Sequence, residues 1–112
     1  MTRYCLLLDL RDDPALIAEY ERQHQAVWPE VLAHLREAGV ANMTIWRLGC
    51  RLAMLLEAGP DFSFARMHEL ERHNPKVQEW EALMSRYQLS SPAAGSAKWQ
   101  LATPLFELAI QP

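Results

Sequence analysis

Glycine is sparse in this chain. Four glycines occur among 112 residues, and none falls in a G-x-G-x-x-G, a P-loop or a G-x-S-x-G pattern. Glycine-cradled nucleotide cofactors and triad hydrolysis from a nucleophile elbow are therefore not expected. Cysteine is scarcer still. Cys5 and Cys50 sit in separate apolar segments and form no C-x-x-C pair, so the expected state is reduced, packed thiols in a cytoplasmic protein. Positive charge is not in excess: eleven Lys and Arg stand against fourteen Asp and Glu, for a formal charge of −3. That balance lacks the basic footprint of a nucleic-acid binder and gives no attraction to an anionic membrane surface. No apolar run approaches the ~20 residues of a membrane span. The opening Met1-Thr2-Arg3-Tyr4-Cys5-Leu6 has one basic residue before a short strand-like run broken at Asp9, which is not the pattern of a signal peptide.

What is present is a foldable core. Half of the residues are hydrophobic and 22% are charged, enough for one domain over residues 1–112 and unlike a disordered chain. Tyr4 to Leu10 reads as a buried strand. Asp13 and Pro14 form an N-cap followed by a first-turn proline. Ile17, Tyr20, His24, Val27, Val31, Leu35 and Ala38 then recur at helical steps of three and four, with Gly39 closing the helix. Pro29 lies inside that pattern and predicts a break near Trp28. Asn42–Leu48 and Leu52–Ala58 read as a hairpin through Gly49-Cys50-Arg51. A helix follows from Asp61 or Ser63 to about His73. Asn74-Pro75 then caps a further helix over Lys76–Tyr87, with Val77, Trp80, Leu83 or Met84, and Tyr87 as its apolar stripe. Ser90 to Ala97 reads as a small-residue loop. Lys98–Ala109 reads as a last strand weakened by Pro104.

The order β-α-β-β-α-β, with the second helix split, is that of an α+β ferredoxin-like sandwich. Leu6, Leu8, Ile45, Met54 and Leu56 are expected on one sheet face, and Leu7, Met43, Leu55 and Phe106 on the other. With both faces apolar and helices on one, the other is expected to pack against a second copy, as in a dimeric α/β-barrel arrangement.

The stretch Glu19 to Glu30 carries the chemistry. Tyr20, His24 and Trp28 are each four residues apart and share one helix face. An imidazole on that inward stripe is either a satisfied core histidine or a general acid/base, since histidine titrates near neutrality. Tyr20, one turn earlier, is placed to orient it or to bind a ligand hydroxyl. An indole is either a core side chain or a platform for the C–H face of a sugar. Trp28 and Trp80 fit both readings, whereas Trp46 and Trp99 read as packing residues. His34 reads as solvated. His68 and His73, five apart, share no helix face, and the Glu21/His24 spacing lacks the second copy a bridged metal site needs. No metal or cofactor is expected.

At Tyr20-x-x-x-His24-x-x-x-Trp28-Pro29-Glu30, and onward through Asn42, Gln78-Glu79-Trp80, Met84 and Phe106-Glu107-Leu108, the chain resembles the L-rhamnose mutarotase family over nearly its whole length. The resemblance implies a dimeric ferredoxin-like isomerase without cofactor that interconverts the anomers of L-rhamnose or, as in similar relatives, L-fucose. It implies His24 as proton donor and Tyr20 and Trp80 as sugar contacts, with Trp28 as a further wall. Met43 and Glu81 stand where the family carries a tyrosine and a second tryptophan that touch the sugar, so these two substrate-binding positions bear on which sugar is bound. The same architecture also hosts cofactor-free oxygenases, haem-handling proteins and small-molecule-binding modules, which fold alone does not separate.

Overall fold

The computed structural model describes residues 2–89 and 98–111. The expected loop at 90–97 lies outside the described residues. β1 (Thr2–Asp9) leads through Asp13 into α1 (Pro14–Gln25), α2 (Pro29–Glu37) and β2 (Val40–Leu48). β3 (Arg51–Ala58), α3 (Phe64–Arg72), α4 (Pro75–Met84) and a two-residue β4 (Gln100–Leu101) follow, with a 3-10 turn at Leu108–Ile110. The sheet order is β2-β3-β1-β4 with every neighbouring pair antiparallel, which is the ferredoxin-like topology.

Local chemistry accounts for the boundaries. The Asp13 carboxylate accepts from the backbone N–H of Ala15 at 3.0 Å and of Leu16 at 3.3 Å, satisfying two of the donors a helix start leaves open. Ser63 accepts from Arg66 and Asn74 from Val77 in the same way. Pro29 splits the long helical pattern. Trp28 before it is extended, with φ −59° and ψ 137°, as the residue preceding a proline prefers.

In α2 the buried residues are Val31 and His34, with Ala38 buried at its C-cap, while Leu35 is only half-buried. His34 is therefore not the solvated residue expected of it. It is 4% exposed, because α2 packs against both α3 and α4 and His34, one turn from Val31 and one from Ala38, lies on the face that they share.

The sheet's inner face carries Leu6, Leu8, Leu52, Met54 and Leu56, all buried. Burying side chains of this size stabilises by about 1.5–3 kcal/mol each. Two clusters result. Leu8, Leu10, Tyr20, Val31, Leu52, Trp80, Met84 and Tyr87 pack around α1 and α4. Leu6, Val40, Met54, Leu56 and Ala58 pack at the other end.

Three expectations are corrected here. Met43 pairs with Leu56 and Ile45 with Met54, so Met43 shares the helix-covered face with Ile45 and packs on the second cluster; residues two apart in a strand point the same way. Lys98–Ala109 is a strand only at Gln100–Leu101. Pro104 has no N–H to offer a ladder, and Leu105 and Phe106 stand 100% and 67% exposed, so Phe106 belongs to an extended arm and not to a sheet face. Cys5 is a free thiol exposed on the open sheet face rather than packed, because its odd position in β1 points away from the helices. Among the described residues no helix is long and apolar enough to cross a membrane.

The turn from α2 into β2 depends on one residue. Gly39 has φ +98°, and a Cβ there would lie 2.9 Å from the Phe62 backbone nitrogen. Gly39→Ala is expected to cost about 1–3 kcal/mol. In urea denaturation this will appear as a lower midpoint at an unchanged slope.

Candidate active site

The site begins with the spacing of Tyr20 and His24 on α1. One helical turn apart, their rings lie 4.2 Å centroid to centroid. The His24 Nδ1 is 2.9 Å from the Tyr20 carbonyl oxygen. A carbonyl only accepts, so Nδ1 carries the hydrogen and Nε2 is the free nitrogen. Trp80 of α4 meets the imidazole edge to face at 5.6 Å, and Trp28 packs edge to face on Trp80 at 5.2 Å. Behind Tyr20, Tyr87 closes the cluster at 5.9 Å. Four residues singled out in the sequence thus meet in space: Tyr20, His24, Trp28 and Trp80.

In front of His24 a cleft of about 240 Å³ opens between α1 and the β2–β3 hairpin. It is lined by Tyr20, Glu21, His24 and Gln25 on one side, and by Ile45, Trp46, Arg47 and Leu52 on the other. Its size lies just under the ~300–1,000 Å³ of pockets for larger ligands, which suits one small molecule. An ion pair from Arg47 Nε to Glu21 Oε1 ties the helix to the edge strand beside this cleft. Trp80 and Trp28 do not line the cleft; they back the imidazole from the core side.

Burial tunes the titrating groups. The His24 pKa is lowered by desolvation, opposed by its bond to the Tyr20 carbonyl, so the ring is neutral at pH 7 with an accepting Nε2. The Tyr20 phenol is pushed up to about 12, chiefly by burial, with the Glu81 charge adding and a hydrogen bond from the Gln88 side chain opposing. Glu81 sits on α4 next to Trp80. Its carboxyl is raised by partial burial and then by Glu71, against the opposing charge of Lys98. Glu81 is thus near enough to Tyr20 to be felt by it. Neither Glu81 nor Met43, which packs on the second core cluster, lines the cleft.

Sequence reading missed Gln88, Tyr87 as a partner of Tyr20, and the Glu21–Arg47 pair. Gln88 follows Tyr87, the last residue of the expected stripe, which lies past the end of α4 at Met84, and its burial follows only from pairing with the end of β1. Glu21 and Arg47 are 26 residues apart, so their meeting needed the topology.

A family model described as L-rhamnose mutarotase matches residues 3–108. The chain is 47% identical over 111 residues to an L-fucose mutarotase of Xanthomonas campestris pv. campestris, covering 96% of this chain and 89% of that one. The crystal structure of an L-rhamnose mutarotase from Formosa agariphila superposes with a TM-score of 0.71 at 17% identity, covering 96% and 99% of the two chains. A dimeric ferredoxin-like protein from an uncultured marine organism gives a TM-score of 0.54 at 12% identity over 94% and 90%. At those identities the two structures establish the fold.

The aromatic backing makes a direct prediction. The His24 ring should titrate below the ordinary histidine value of 6.5 in proton NMR. Trp80→Leu, which admits water to the ring, should move that midpoint back up toward 6.5.

Proposed function

The chain belongs to the L-rhamnose mutarotase family, and we propose that it is a sugar mutarotase that interconverts the α and β anomers of a 6-deoxy-L-hexose, with L-fucose as its preferred substrate. The observation that carries this reading is the neutral His24, its Nδ1–H held by the Tyr20 carbonyl and its free Nε2 beside a cleft of about monosaccharide size. Anomer exchange requires one proton to leave the anomeric hydroxyl and one to reach the ring oxygen. These two oxygens share one carbon, so a single nitrogen can serve both. His24 Nε2 takes the proton from O1 as C1=O1 forms and C1–O5 breaks. The imidazolium then donates that proton to O5. Rotation about C1–C2 presents the other carbonyl face, and the same steps reversed close the ring. His24 is thereby the proton donor to the ring oxygen, after first acting as base.

Tyr20 offers its hydroxyl to the sugar. Its pKa of about 12 keeps it protonated and makes it a hydrogen-bond donor rather than an acid. Trp80 and Trp28 keep water from the back of the imidazole and bound the site. L-fucose is preferred because the relative at 47% identity over 96% of the chain is an L-fucose mutarotase. Glu81, at the position where the rhamnose pattern has an indole, does not line the cleft and bears on the sugar through its charge near Tyr20. Met43 supplies no polar atom to the site.

The enzyme works as a homodimer. Cys5, Leu7, Ala53, Leu55 and Trp46 form an open apolar sheet face. The arm with Leu105, Phe106, Leu108 and Ile110 is exposed from 67% to 100%. Such surface is more than a small monomer ordinarily leaves in water. A second copy covers it. The free thiols Cys5 and Cys50 suit the reducing cytoplasm.

NMR saturation transfer between the α and β anomeric protons tests the activity. Exchange of L-fucose is expected to exceed both the buffer rate and that of L-rhamnose; buffer-level exchange of both sugars would refute the reading. His24→Ala, with the fold intact by circular dichroism, should lose about 10²–10⁴-fold. Because the active form is neutral and its pKa is lowered, kcat/KM should stay level through neutrality and fall only as the pH drops well below 6.5. A decline with rising pH would instead mean that the resting ring is the acid. For the assembly, Leu55→Glu on the open face should turn the dimer into a monomer in sedimentation velocity, and a monomeric wild type would remove the homodimer.

A further inference from the structure

We propose that Arg47 is a substrate-binding residue of the cleft and Glu21 its positioning residue, the pair taking up a ring hydroxyl of a neutral sugar and, by its own pairing, turning anionic ligands away. The inference rests on the reading of the cleft as the sugar site. Glu21 lies beside Tyr20 and one turn before His24 on α1. Arg47 stands opposite Leu52 in the β2–β3 ladder, on the helix-covered side of the edge strand β2. Both line the cleft. With His24 neutral, they are the two residues of that lining that carry charge. The Arg47 side chain is 37% exposed and that of Glu21 50%, and an ion pair so open to water adds little to stability. An inward charge can guard an edge strand against pairing with another sheet, but that task needs no partner, and this arginine is held at two points.

The two points decide what the guanidinium can still bind. Its Nε–H donates to Glu21 Oε1, and Nη1–H donates to the Gly49 carbonyl at 2.9 Å. Gly49 belongs to the β2–β3 turn, so the planar group is fixed to the helix and to the hairpin at once. A carboxylate or phosphate is gripped by two parallel N–H bonds, from Nε and one Nη or from both Nη atoms. Here Glu21 occupies the first edge and Gly49 engages a nitrogen of the second, so neither edge has two nitrogens free. Nη2 and Glu21 Oε2 have no hydrogen-bond partner among the described residues. A sugar hydroxyl is donor and acceptor together. It can accept from Nη2 and donate to Oε2. An anion can only accept, and it meets the Glu21 charge as it approaches. The pair therefore selects by repulsion as well as by attraction.

Anomer exchange at varied sugar concentration tests this. Arg47→Met should raise KM for L-fucose by about 10-fold, the low end for a hydrogen bond to a charged group, with the loss in KM rather than in kcat. Of 2-, 3- and 4-deoxy-L-fucose, the one lacking the bound hydroxyl should lose nothing further in that variant. Glu21→Met removes the acceptor and the charge, and should both raise KM and make inorganic phosphate a competitive inhibitor. The wild type, and the double variant of Glu21→Met with Arg47→Met, should be indifferent to phosphate at the same ionic strength. An unchanged KM in Arg47→Met, or all three deoxy sugars losing as much as L-fucose, would overturn the hydroxyl contact. Equal phosphate inhibition of the wild type and Glu21→Met would overturn the exclusion of anions. Either result leaves His24 and the cleft as the site, whereas wild-type exchange at the buffer rate would remove the site reading and the proposal together. A readout free of turnover is the Arg47 Nε–H resonance. It should shift when L-fucose is added to the wild type and when phosphate is added to Glu21→Met, and an unshifted resonance in the first case would also overturn the proposal.

Discussion

The ladder between β1 and β3 runs without interruption from Thr2 opposite Ala58 to Asp9 opposite Arg51, and the other elements take their places from it. Its inner side chains, Leu6, Leu8, Leu52, Met54 and Leu56, set the floor on which the helices pack. Its open end fixes the active-site region twice. Just past Asp9, the chain turns at Asp13 into α1, which decides where Tyr20 and His24 face. The same end pairs with Gln88 and Leu89, which returns the tail of α4 to the back of Tyr20. A slip of one residue in this ladder would turn Leu6 and Leu8 outward and separate the two halves of the site.

Much of the fold was legible because local rules and global packing agree. The Asp13-Pro14 and Asn74-Pro75 pairs marked helix starts that the structure reproduces to the residue. Pro29 marked the break, and Gly39 the positive φ. Where reading failed, the cause was non-local or geometric. The stripe through α2 was drawn through Leu35, so His34 was left outside, although it shares a helix face with Val31 and Ala38 and is the more deeply buried of the two. Met43 was separated from Ile45 although strand geometry keeps them together. The tail beyond Leu101 carries strand-forming residues, but past the Ala102 N–H bond to the Cys5 carbonyl it adds no ladder pairing among the described residues.

The site was legible in part for the same reason. Tyr20, His24 and Trp28 share one turn-by-turn face, so a single helix brings them together, and the apolar stripe of α4 delivers Trp80. Gln88 and the Glu21–Arg47 pair depend on elements far apart in sequence. The state of His24 also came from the structure, because only the Tyr20 carbonyl at 2.9 Å decides which ring nitrogen is free. Burial then does the chemical tuning, lowering the basicity of the imidazole while leaving the phenol protonated.

The order in which the ladder's strands occur along the chain governs how the protein assembles itself. β2 and β3 are joined by the two-residue turn Gly49-Cys50, so their hairpin closes a short loop. β1 must wait for β3, more than forty residues later, before it gains a partner. Loop closure of that kind slows folding. During synthesis β1 leaves the ribosome first, with Leu6 and Leu8 on one side and Cys5 and Leu7 on the other, both edges unpaired until β3 follows. The segment that organises the finished molecule is thus the one most exposed to wrong pairing while the chain is being made.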